Sequence, residues 1–95
     1  MDSTGTGNIG LGSNAGWAIN TGDNNVIIGG DSGSAIDGMS NQIILADGAG
    51  NDRIRVDGSG NGGIGTTGPS SRLEVASGTA NASRLKFSNL NSYSP

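Results

Sequence analysis

The chain has 95 residues, a formal net charge of −3, 19 glycines, 3% aromatic residues and neither cysteine nor histidine. One ordinary domain is the upper bound, and so few large side chains are too few to fill a compact core alone. Disulfides, cysteine zinc sites and histidine base catalysis are excluded; the low charge density does not fit a charged disordered tail.

The N-terminal MDSTGTGNIG has neither a basic start nor an apolar run, so it does not have the form of a signal peptide. No apolar run approaches the ~20 residues of a membrane span. The five basic residues all lie at or after Arg53 and seven of the eight acids at or before Asp57. That asymmetry is too mild to imply a nucleic-acid partner.

Along the chain, GNIGLGSNAGWAIN (residues 7–20) lies over NNVIIGGDSGSAID (residues 24–37) at an offset of 17. Asn8 falls on Asn25, Ile9 on Val26, Leu11 on Ile28, Gly12 on Gly29, Gly16 on Gly33, Ala18 on Ala35 and Ile19 on Ile36. A second shift of 17 places Asn24 on Asn41, Val26 on Ile43, Ile27 on Ile44, Ile28 on Leu45 and Gly33 on Gly50. GNGGIG (residues 60–65) is a weaker fourth copy, in which Ile64 matches Leu11 and Gly62 stands where the others have Ile or Val. A short fixed period implies units that bury an apolar face only by stacking. Ile9 and Leu11, Val26 and Ile28, Ile43 and Leu45 are spaced by two, which predicts short strands closed by Gly, Asn and Asp. Asn8, Asn25 and Asn41 are expected to stack and bond along the repeat.

Beyond residue 50 the pattern changes. DRIRVDGSG alternates, with Arg53, Arg55 and Asp57 on one face and Ile54 and Val56 on the other. TTGPSS is a break, since Pro69 does not suit a central strand. RLEVAS and SRLKFSNL follow, with Leu73, Val75, Leu85 and Phe87 directed inward. The expected organisation is 1–50 as glycine-rich ~17-residue β repeats, 51–68 as an alternating strand and glycine turn, and 69–95 as a short-strand segment that breaks off before a closing element. The inward set is Ile9, Leu11, Val26, Ile28, Ile43, Leu45, Ile54, Val56, Leu73, Val75, Leu85 and Phe87.

Sites of chemistry are sparse. G-x-G-x-x-G occurs at Gly5-Gly7-Gly10, Gly58-Gly60-Gly63 and Gly60-Gly62-Gly65. No helical pattern follows any of them, which a dinucleotide fingerprint requires. GAGND (residues 48–52) matches the core of a nonapeptide calcium repeat, and Asp47, Asp52 and Asp57 would supply oxygens. Against it stand a single good copy, a ten-residue recurrence and the adjacent Arg53 and Arg55, so a glycine turn between strands is preferred. A serine nucleophile has no histidine base. Trp17 suits a cap on the repeat stack better than a sugar platform, and Asn81-Ala82-Ser83 is a glycosylation sequon by pattern only. No catalytic, cofactor or metal residues are assigned, and the chain is not expected to be an enzyme.

TGDNNVIIGGDSGSAI, then SNQIILADGAGNDRIRVDGSGNGGIGTTGPSSRLEV, resembles the shaft segments of phage tail fibres, with GIGTTGPSSRLEVASG the most specific part. TANASRLKFSNLNSYSP resembles the segment that follows there. The N-x-x-x-G and G-x-N-A-G elements are also similar to head repeats of trimeric autotransporter adhesins. Gly62 and Gly68 depart from the tail-fibre pattern, which usually has Val or Ile at the first and often Ser at the second.

The resemblance implies an all-β, short-strand repeat fibre, a β-solenoid or triple-stranded β-prism wound as a homotrimer. It would be extracellular, in a virion tail, with other tail proteins and a host cell-surface receptor as partners. No nucleic acid, cofactor or membrane insertion is implied. The rival readings are a bacterial trimeric adhesin segment, a calcium-binding β-solenoid domain of a secreted protein, and an end-to-end extracellular filament.

Overall fold

A computed structural model describes residues 5–76 and Leu85. Leu85 is exposed. Phe87 and the sequon at Asn81 lie outside the described residues.

The described chain is all-β. Six short strands form one sheet in sequence order: β1 (Ile9–Leu11), β2 (Val26–Ile28), β3 (Ile43–Ala46), β4 (Asp52–Val56), β5 (Gly62–Ile64) and β6 (Leu73–Val75). A single 3-10 turn spans Ser34–Ile36. β1, β2 and β3 pair in parallel, with Ile9 beside Val26 and Val26 beside Ile43. The 17-residue period is therefore the distance in sequence between neighbouring strands. At Ala46 the chain reverses: β3–β4 and β4–β5 are antiparallel, and β5–β6 is parallel again. The fourth copy of the repeat, around Ile64, forms a strand in spite of Gly62 and Gly63, but it pairs with β4 and β6 rather than continuing from β3.

The parallel part is held by bonds that repeat at the same offset. Asp23 Oδ1 accepts the Thr6 amide at 2.7 Å and Asp37 Oδ1 accepts the Asn20 amide at 2.6 Å. Asn8 Oδ1 accepts the Asn25 amide, and Asn25 Oδ1 accepts the Gln42 amide, both at 2.9 Å. Backbone amides off the strands thus find side-chain partners in the neighbouring coil. The third rung of this ladder is Gln42, not Asn41. Asn41 takes the left-handed conformation at φ 62°, as Asn24 does at φ 59°, a use for which asparagine is suited by its short polar side chain.

The core of the single chain is not made by the inward set. Its buried apolar residues are Ala15, Ile19, Ile27, Ile36, Ile44 and Ala46. Ile27 and Ile44 come from the middles of β2 and β3. Ile19 and Ile36, again 17 apart, lie beyond the turns that follow β1 and β2 and close over them. Gly33 sits at φ 83° against this core, where an added Cβ would stand 2.6 Å from Ile19 Cγ1. The residues expected to point inward flank Ile27 and Ile44 and so project from the other side of the sheet, because side chains alternate along a strand.

Arg55 is a second correction. It pairs with Ile44 and is buried, 8% exposed, instead of sharing a face with Arg53. Its Nη2 donates to Gln42 Oε1 at 3.2 Å. A bulge between Leu45 and Ala46 accounts for the separation: Ile54 pairs with Leu45, but Asp52 with Ala46. Arg53 is the extra residue and remains exposed.

Candidate interaction face

Strand registry assembles the outer side of the sheet into two rows. One row reads Ile9, Val26, Ile43, Val56, Gly62, Leu73. The other reads Leu11, Ile28, Leu45, Ile54, Ile64, Val75. Eleven of these twelve positions are branched aliphatics, and none is polar or charged. The rows stay continuous through the reversal at Ala46 because both strand directions keep the pleat in register.

Ile9, Leu11, Ile28, Ile43, Leu45, Ile54, Ile64 and Leu73 are each between 41% and 64% exposed. Scattered exposed leucines are ordinary, but a contiguous apolar face of this kind marks an interaction surface. Ten of the twelve residues of the inward set lie in these rows. Leu85 lies outside the rows, and Phe87 outside the described residues. The sequence reading missed only Ile64 among the row members with a side chain, although the match of Ile64 to Leu11 carried the signal.

The carboxylates stand elsewhere. Asp47 closes the β3–β4 hairpin: its Oδ1 accepts the Ala49 amide at 2.9 Å and the Asn51 amide at 3.0 Å. Its Oδ2 accepts from Asn51 Nδ2 at 3.1 Å and from Arg53 Nη2 at 2.7 Å. The Asn51 amide and side chain, with Arg53, hold the Asp47 carboxyl well below the usual carboxylate range. Asp57 repeats the arrangement in the β4–β5 hairpin, where its Oδ1 accepts the Ser59 and Asn61 amides, each at 2.9 Å. The DGAGN and DGSGN stretches are thus two copies of one five-residue turn, which explains their ten-residue recurrence. Asp52 lies against Asp31. Burial, then the contact with Asp31 and its charge, push Asp52 up to about 7, while Arg55 pulls in the opposite direction.

Asp47, Asp52 and Asp57 therefore do not converge. Among the described residues no group of three or more metal-ligating side chains stands together. Trp17 is 60% exposed in the turn after β1 and is not packed as a cap on the stack. Among the described residues no helix is long and apolar enough to cross a membrane.

Comparison with protein-family models, with curated proteins and with solved structures found no match to this chain.

Proposed function

We propose that the chain is a structural segment of a trimeric viral tail fibre that supports, or forms part of, attachment to a host receptor. The observation that carries the trimer is the two-row aliphatic face. A sheet three residues wide offers two side chains per strand to one side. Three such sheets close a triangular section, with six side chains in every layer, and the assembly is a β-prism continued from stacked coils. Covering the exposed part of each of these eight side chains is worth about 1 kcal/mol apiece. That supplements a core that holds six buried apolar residues among those described. A second copy is the fitting occupant because the face carries no charge or polar group to recognise anything else, and its rows match one another layer by layer. The viral setting rests on the resemblance of the GIGTTGPSSRLEV stretch and its preceding repeats to tail-fibre shafts.

The parallel pairing of β1 to β3, with the G-x-N-A-G element in the first turn, favours one second reading: a segment of a bacterial trimeric surface adhesin. An export signal and membrane anchor encoded in the same gene separate the two.

The test is molar mass by light scattering, with the wild-type chain beside Leu45→Asp. Three chains per particle are expected for the wild type. Leu45→Asp, which places three carboxylates in one apolar layer, is expected to be monomeric. A monomeric wild type sinks the reading.

A further inference from the structure

Gly62 is the one interruption in the two rows, and nothing among the described residues calls for it. An added Cβ there would meet only the Arg72 carbonyl oxygen, at an ordinary 3.7 Å. Gly62 is not among the residues with positive φ. It lies in a strand between Val56 and Leu73, where a β-branched side chain would favour the extended backbone. Gly63, beside it, is different: a Cβ there would stand 2.7 Å from the Thr66 carbonyl oxygen. Packing among the described residues accounts for Gly63 and leaves Gly62 without a role.

We infer that Gly62 is a notch in the aliphatic face that receives the side chain of Ile64 from a neighbouring copy. The inference rests on the trimeric reading above. A three-fold axis along the stacking direction leaves each residue at its own height. At each corner of the section the row of Ile9 in one copy meets the row of Leu11 in the next. In the β5 layer this sets Gly62 against Ile64 of the partner subunit. In the other layers two branched aliphatics meet at the corner. Here one large side chain faces none, and the two chains approach more closely. The notch makes this layer unlike its neighbours, so it selects register: a copy slipped by one strand would set Ile64 against Val56 or Leu73, and Gly62 against Ile54 or Val75.

The experiment exchanges the sizes of the two residues. Sedimentation equilibrium of the wild type, Gly62→Val, Ile64→Ala and the double variant gives the concentration at which half the chains are trimeric. Gly62→Val is expected to raise that concentration about tenfold or more by overpacking the corner. Adding Ile64→Ala to it is expected to restore tighter assembly than either single variant shows. On the monomeric Leu45→Asp background, Gly62→Val is expected to leave the circular dichroism and the urea midpoint unchanged. Assembly of Gly62→Val as tight as wild type overturns the inference, as does a double variant no tighter than the worse single. A lowered urea midpoint on the monomeric background overturns it too, since the strand itself would then require glycine. A wild type that never trimerises fails the trimeric reading instead, and is recognised before any variant is compared.

Discussion

Asn25 is wholly buried and leaves neither end of its amide idle. Its Oδ1 accepts the Gln42 amide and its Nδ2 donates to the Met39 carbonyl, each at 2.9 Å. An alanine there strands a buried N–H and a carbonyl together, so Asn25→Ala is expected to cost about 2–4 kcal/mol in urea unfolding. Asn8 makes the same pair of bonds from a half-buried place, and Asn8→Ala is expected to cost less. The pair of Asp31 and Asp52 sets a pH dependence. Asp52 is raised to about 7 in the folded chain, so its contribution is fully present below about pH 4 and is lost as pH rises through about 7. Asp52→Asn is expected to raise the melting temperature at pH 8 and to change it little at pH 4. An equal gain at both values refutes the charge-pair account. At this scale the sequence was legible where one physical need governed a residue and ambiguous where two did. Asparagine serves this chain both as a ladder rung and as a left-handed turn residue. Asn41 belongs to the second use, and the ladder passes one residue further on, to Gln42.

The two hairpins show one element built twice. In each, an aspartate at the start accepts two backbone amides from the far side of the turn, and a glycine amide closes onto its carbonyl: Gly50 onto Asp47 at 3.1 Å, and Gly60 onto Asp57 at 2.9 Å. This is the local bonding for which aspartate is favoured in turns. Because the Asp47 carboxyl is lowered in the fold, its contribution is present above about pH 4 and is lost as pH falls through the folded value. Asp47→Ala is expected to lower the urea midpoint at pH 7 and to lower it by less near pH 2, where the unfolded carboxyl is already protonated. Neither change should depend on calcium: titration with calcium or with a chelator is expected to leave the melting temperature fixed, and a chelator-induced loss of β signal would revive the calcium solenoid. In the parallel coils the sensitive position is Gly33. Gly33→Ala joins a left-handed backbone to a clash with Ile19 and is expected to cost more than about 1 kcal/mol. Alternation in DRIRV identifies the strand but sets Arg53 and Arg55 on one face, which the structure separates. The bulge beside Ala46 moves Arg53 out of the alternation, and no composition signal marks a bulge.

At the scale of the molecule, the offset of 17 was the most informative feature of the sequence, because it equals a coil of the parallel stack. Removing one whole coil, residues 9–25, joins Asn8 to Val26 and keeps every later register. The shortened chain is expected to fold, shorter by one strand spacing of about 4.8 Å. Removing 9–24 instead leaves the spacing of β2 and β3 in place and sets only residues 5–8 one residue out of step, so that chain is expected to fold with a weaker first coil. What the sequence concealed was the division of labour between the two sides of the sheet. Spacing by two identifies residues that share a face, but it is silent on which face the chain covers by itself. The apolar triplets Val26-Ile27-Ile28 and Ile43-Ile44-Leu45 supply both faces at once, the middle residue for the chain's own core and the outer two for the rows.

The reversal at Asp47 has a consequence for how such a chain can change. Parallel coils and antiparallel hairpins are different ways of routing a backbone, yet the rows pass from one to the other without a missing layer. The face depends on where side chains land and is indifferent to the direction in which the chain arrives. Asp47 is in that sense a seam. Segments of unlike topology can be exchanged across it while the two aliphatic rows are conserved. A lineage that lengthens, shortens or recombines such chains at the seam changes their reach and keeps the face.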